Sequence, residues 1–367
     1  MTATLHRARV RTHSSPIAIR REPDELLTVL RSAALVVVVL WHWVFATIRW
    51  DSRGPHAGNP LHLVPGGFIL TWFLQVMPVF FLVGGWASKE SFDRAGTNGT
   101  TAWLRKRTVR LVVPVVPLLA ALLAAKVFFS PWLFGVTLLA VSPLWFLGVY
   151  VPLTLLTPAL VRGHRRSPRI FLAGSLVCVF AIQYARFILR VSGPEITVLS
   201  FLGVWGTVFQ LGFFIDRIRA SRRLSMACAS IGLFGIVLGG ATGLSLSMVT
   251  TANDTVSNMG PPTVAIVFLA LFQIGLVALF QNRLCRLASR PRVDRLLRAF
   301  DAHQMKIYAI HLPIWVGALV ALRATPLSLP AEPTTGWLLT RPVWLLLPGA
   351  ALYWLLRPRR RIGSVSL

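Results

Sequence analysis

The chain has 367 residues, of which 55% are hydrophobic and only 14% charged, and its 38 Lys and Arg face 12 Asp and Glu to leave a net charge of +26. So much apolar surface excludes a soluble nucleic-acid binder in spite of the basicity, and with it a disordered tail protein or a secreted disulfide scaffold. The three cysteines, Cys178, Cys228 and Cys285, lie in or beside apolar runs without paired spacing; they read as reduced packing residues from which no metal site can be built.

The chain opens on a basic arm, residues 1–25, that reads as disordered, cytoplasmic and in contact with anionic lipid. A bilayer crossing needs about 20 mostly apolar residues. The first such run, Leu26–Ile48, is full length and rich in tryptophan, with no clear small-residue cleavage site after it, so it reads as an uncleaved helix rather than a signal peptide. Nine more follow: Gly67–Ser88, Val109–Phe129, Pro143–Val161, Ile170–Leu189, Ile196–Ile215, Ser225–Val249, Thr263–Gln281, Ala302–Leu322 and Trp337–Leu356. In the seventh, Gly232, Gly235 and Gly239 suit close packing within the bundle. The longest outward connection, Arg49–Gly66, is too short for a folded domain. The expectation is an all-α polytopic membrane protein of about ten transmembrane helices: a transmembrane domain over 26–357 and a short cytoplasmic tail, 358–367.

The basic residues orient this frame. With the N-terminus inside, thirty of the 38 fall on cytoplasmic segments, as the positive-inside rule requires. Seven, Arg49, Arg53, Lys126, Arg186, Arg190, Arg323 and Arg341, are assigned outside, and Arg31 lies in the first span. Both termini are then cytoplasmic. Arginine outnumbers lysine 34 to 4 amid abundant Ala, Val, Leu and Pro, which points to a GC-rich bacterial gene and so to a bacterial plasma membrane.

Ionisable groups within the spans are costly and mark function. Arg31 and His42 are eleven residues apart, almost three helical turns, so they share one face about 16 Å apart along the axis. Singly, Arg31 also reads as a snorkelling interface residue and His42 as an interhelical hydrogen-bonding group. Gly84-Gly85 in the second span permits a close approach by backbone or ligand, and helix packing alone also accounts for it. Arg107 and Arg110 share a helix face at the cytoplasmic edge; the pair suits a phosphate or serves as an ordinary positive-inside anchor. Tyr308 and His311 share a face of the ninth span, His311 one-third to one-half of the way across from the cytosol.

Together these segments resemble the integral-membrane acyltransferase 3 family. The Arg31-to-His42 pair, Phe80-Phe81-x-x-Gly84-Gly85-Trp86, Arg107-x-x-Arg110 followed by Pro114, Trp145-Phe146-Leu147 and Tyr308-x-x-His311-x-Pro313 run in the family's order over about Leu27 to Tyr353. One position departs: the family commonly has Ser-Gly where this chain has Gly84-Gly85, so any role of that serine hydroxyl is absent.

The resemblance implies transfer of an acyl group, often acetyl, from cytosolic acyl-CoA to a hydroxyl of a cell-surface glycan, lipid or small natural product. No permanently bound cofactor is expected; acyl-CoA, above all acetyl-CoA, is a donor substrate, and the partners are membrane lipids and the acceptor, not nucleic acid. An imidazole suits removal of the hydroxyl proton. His42 is thus the expected general base or acyl relay. Arg31 would orient the donor or His42, Arg107 and Arg110 would hold donor phosphates, and Trp145, Tyr308 and His311 would line the passage or position the acceptor. The rival reading is a transporter or flippase of a glycan or lipid intermediate; the scarcity of charge in the outward loops and the lack of a visible repeat speak against it. A non-catalytic scaffold is a third.

Overall fold

The computed structural model describes residues 25–96, 99–251 and 256–357. The basic arm, except Glu25, and the tail from 358 lie outside the described residues.

Ten helical spans long and apolar enough to cross a bilayer are present among them, one for each predicted run. Proline and capping hydroxyls set many of their starts. In chain order the elements are α1 (Glu25–Val44), a hairpin β1 (Thr47–Asp51) and β2 (Gly54–Gly58), α2 (Phe68–Leu74), α3 (Met77–Ala95), α4 (Thr100–Val112), α5 (Val116–Phe128), α6 (Pro131–Val141), α7 (Trp145–Arg166) and α8 (Pro168–Phe187). Then come α9 (Pro194–Leu211), α10 (Ile215–Arg219), α11 (Arg222–Ala241), α12 (Val264–Ala288), α13 (Pro291–Ala302), α14 (Gln304–Leu322) and α15 (Thr335–Leu356).

Several expectations are corrected in detail. The second span is broken at Gln75 and Val76 into α2 and α3. The third begins at Thr100, nine residues before the expected Val109, and carries a 3-10 turn at Val113–Val115 around Pro114, whose ring cannot continue the helical bonding. The seventh ends at Ala241 rather than Val249, so the connection from there to Val264 is longer than expected. The connection 45–67 is no bare loop. Its strands pair antiparallel from Thr47↔Gly58 to Asp51↔Gly54. At the tip the Arg53 backbone N–H and the His56 ring hold the Asp51 carboxyl below the usual carboxylate range. Arg323 lies over the Trp50 ring, 4.7 Å from its centre.

Arg341 is a charge within a span that the sequence reading did not single out. The charge count placed it on the outward side, and it lies early in α15, within the expected Trp337–Leu356, only 8% exposed. Its Nε donates to Trp337 O at 2.8 Å and Nη1 to Val44 O at 2.7 Å, with the guanidinium 4.1 Å from the Trp337 ring centre. The last carbonyls of a helix lack intrahelical donors and carry partial negative charge, so a buried cation at the end of α1 is compensated there.

Two apolar clusters form the core. One gathers residues of α3, α7, α9 and α12, including Phe81, Tyr150, Trp205, Phe209 and Ile266. The other joins the second half of α1 to α14 and α15 through Leu35, Val39, Trp43, Trp315 and Trp344. Gly85 lies against the Phe209 carbonyl of α9 so closely that a Cβ would overlap it, so the adjacent glycines serve helix packing. Gly232 and Gly235 meet Phe268 and Phe272 of α12, inside the bundle as expected, whereas a Cβ on Gly239 would meet only Leu244.

The ends of the bundle differ in character. At one end Arg165 pairs with Asp93 at 2.6 Å, Trp86 Nε1 donates to Asp216 at 3.2 Å, and Arg31 pairs with Asp301. These bonds bring together the ends of α3 and α7, the start of α1, α10 and α13; this is the basic end. The hairpin and the described residues 242–251 and 256–263 lie at the other.

Candidate functional site

A cavity of about 470 Å³ opens where the two apolar clusters meet. Its wall comes from α1 (Val38, Trp41, His42), the start of α3, the turn into α7 (Ser142, Pro143, Trp145, Phe146), Tyr308 of α14, and Val249, Thr250 and Met259. His42, Trp145 and Tyr308, three of the residues singled out from the sequence, therefore share one cavity. Among the described residues its lining includes no Asp, Glu, Lys or Arg. Gln75 also reaches it and was not foreseen; its side chain spans Met77 N at 3.1 Å and Met248 O at 3.2 Å. It occupies the break between α2 and α3, a break that leaves no mark in hydropathy.

His311 is not on the wall. It is fully buried behind His42, with its Nε2 3.3 Å from His42 Nδ1. The Nδ1 of His311 faces two carbonyls, Ile307 O at 3.1 Å and Tyr308 O at 2.9 Å. A carbonyl only accepts, so His311 Nδ1 carries a proton, and in the neutral ring Nε2 is then the lone pair. The hydrogen bond between the rings is consequently donated by His42 Nδ1–H. Neutral His42 is left with its own lone pair on Nε2 of a ring that lines the cavity and that also has the Val38 backbone as a hydrogen-bond partner. Trp43 Nε1 donates to His311 O at 3.1 Å, a further tie between α1 and α14. Tyr308 has its hydroxyl donated to Pro143 O at 2.5 Å, which sets the ring on the cavity wall and joins α14 to the turn before α7.

The arginines are elsewhere. Arg31, one face and eleven residues away from His42, gives its Nε to Asp301 Oδ1 at 3.0 Å and an Nη to the same oxygen. Asp301 was not foreseen; the sequence signal that could have found it is a carboxylate closing the amphipathic stretch Pro291–Ala302. Arg107 donates to Ala87 O at 3.0 Å and Ser91 Oγ at 2.9 Å and covers the Trp103 ring. It lies within electrostatic range of Arg31, Arg110 and the Tyr150 phenol. Arg110 is exposed. Three guanidinium groups thus cluster at the basic end, and among the described residues neither Arg107 nor Arg110 forms an ion pair.

Aromatic rings fill the space between cluster and cavity. Phe146, on the cavity wall, packs on Tyr150 with centroids 5.0 Å apart and on Phe81 at 5.1 Å. Phe81 in turn stacks on Trp205 at 4.5 Å. Tyr150 fills the notch left by Gly84, where a Cβ would come within 2.6 Å of its hydroxyl. The departure from the family's serine therefore makes room for a neighbouring ring.

The match to known proteins is one of family. A model described as an acyltransferase domain covers residues 25–355, nearly the whole chain. No curated protein and no solved structure matches it.

Proposed function

The chain belongs to this acyltransferase family, and from that premise we propose that it moves an acyl group from a cytosolic acyl-CoA to a hydroxyl that enters the cavity beside His42. The observation that carries the reading is the His42–His311 pair: a neutral imidazole with its lone pair on the cavity side and its other nitrogen tied to a second, backbone-anchored imidazole.

In this reading the acceptor hydroxyl gives its proton to His42 Nε2 as its oxygen bonds to the thioester carbonyl carbon. Collapse of the tetrahedral intermediate breaks the carbon–sulfur bond, and the departing thiolate recovers the proton from His42. While His42 is an imidazolium, its Nδ1–H points at the His311 lone pair, so the charge gains a short-range acceptor without a second cation. Trp145 and Tyr308 shape the acceptor pocket. Among the described residues the lining is largely apolar and neutral, which favours an uncharged hydroxyl-bearing unit.

The donor is assigned to the other end. Coenzyme A is a polyanion, and Arg31, Arg107 and Arg110 supply guanidinium forks suited to phosphate. From Arg31 to His42 the axis advances about 16 Å, a gap an extended pantetheine arm can bridge once the Phe146 and Tyr150 rings move aside. With the basic end cytoplasmic, both termini are cytoplasmic, the donor comes from the cytosol and the acceptor from the opposite side. Acetyl is the acyl group we favour, a bacterial plasma membrane the location, and a glycan, lipid or small natural product the acceptor.

The test is acyl transfer by the full chain reconstituted in liposomes with labelled acyl-CoA and a fractionated acceptor pool. His42→Ala is expected to abolish transfer while the protein keeps its melting temperature. Transfer at the wild-type rate by that variant refutes the assignment.

A further inference from the structure

We propose that Asp301 is the resident counter-ion of the donor site and sets its affinity, holding the Arg31 guanidinium until a phosphate of the donor takes its place. This rests on the reading of the arginine cluster as the site of the donor's phosphates.

The geometry supports exchange rather than a permanent tie. Arg31 uses both Nε and an Nη on a single oxygen, Asp301 Oδ1. That engages the Nε–Nη edge of its fork, one of the two edges able to receive a phosphate, and neutralises its charge. Both side chains are 30% exposed. A pair so open to water is worth little on its own, whereas breaking a buried pair would strand a charge. After exchange the carboxylate is hydrated and the guanidinium has a phosphate, so neither charge is orphaned. The balance of charge favours the incoming group: Asp301 brings one negative charge to three neighbouring guanidinium groups, and the donor brings several.

Position adds a consequence. Asp301 closes α13, and only His303, in a non-helical conformation, separates that helix from α14, which carries Tyr308 and His311. Release of Asp301 therefore removes one tie between α1 and α13 beside the joint from which the helix behind His42 departs.

The experiment is equilibrium binding of coenzyme A itself to the purified full chain in nanodiscs, paired with KM for acyl-CoA. Asp301→Asn keeps the shape and removes the charge; it is expected to bind coenzyme A about fivefold more tightly, the effect of removing one weak competing ion pair, and to lower KM. Asp301→Ser is a second neutral variant with the same expected direction, should the first fold poorly. Asp294→Asn is the control, because Asp294 pairs with Arg298 one turn away on the same helix. Tightening there as large as at Asp301 means a general field effect and overturns the proposal. Loss of affinity or no change in the folded Asp301 variants, with wild type binding, overturns this inference alone. No coenzyme A binding by wild type overturns the donor site and this inference together.

Discussion

Replacing His311 separates a base held in one tautomer from a base left free. His311→Leu keeps an apolar volume in a fully buried position but removes the acceptor 3.3 Å from His42 Nδ1. In the transition state that bond links an imidazolium to a lone pair, and such charge-assisted bonds are worth about 1.5–3 kcal/mol. At 1.4 kcal/mol per factor of ten, kcat is expected to fall by roughly 10- to 150-fold. The Val38 carbonyl beside the His42 ring remains as a hydrogen-bond partner, which holds the loss toward the lower figure. His311→Gln presents an amide oxygen near the former Nε2 and is expected to recover part of the rate. The assay is steady-state transfer at saturating acyl-CoA, with melting temperature measured in parallel. A folded Leu variant within twofold of wild type, or a Gln variant as impaired as Leu, refutes the argument that His311 fixes the tautomer of His42.

Three other outcomes follow from the packing. Gly85→Ala drives a methyl group into the Phe209 carbonyl and is expected to destabilise by about 1–3 kcal/mol; thermal melting checks this, and an unchanged midpoint refutes the close α3–α9 approach. Phe146→Ala removes the ring that stands on both the cavity wall and Tyr150. Its expected effect is faster acyl-CoA hydrolysis without acceptor, read as release of free thiol, because the rings no longer keep water from the thioester; release no faster than wild type counts against that role. Arg341→Met takes the donor from Val44 O at the end of α1. A fall in kcat of about tenfold is expected, with little change in melting temperature, since losing the charged bond is offset by no longer burying a cation; Arg341→Lys should restore part. A Met variant with normal kcat shows that the tie does not position His42.

The spans were legible because a bilayer demands long apolar runs and the basic residues alternate with them. Arg31, His42, Tyr308 and His311 stood out as polar groups placed where polarity is expensive. Two facts stayed hidden. His42 and His311 are 269 residues apart, and a periodic pattern reports which face a side chain takes, not which distant helix it meets. Asp301 was passed over as one acid in a run of arginines, although a carboxylate closing the amphipathic Pro291–Ala302 was a usable sign. The burial of Arg341 and its bond to the end of α1 were missed because a count of charges reports a side of the membrane, not a partner. Hairpins and helix breaks such as Gln75-Val76 depend on partners supplied by other segments.

Because Arg31 and His42 sit on the same unbroken helix, α1 works as a ruler with a phase. Each residue adds about 1.5 Å of length and about 100° of rotation. A single insertion or deletion between the two positions would barely alter the span between donor phosphates and base, yet would swing His42 to another side of the helix, away from both the cavity and His311. An insertion of four residues would nearly restore the facing but lengthen the gap by about 6 Å, beyond the reach of the same donor arm. The ten-residue interval is thus a length constraint and an angular constraint at once. Individual side chains between Arg31 and His42 are far freer to vary than their number.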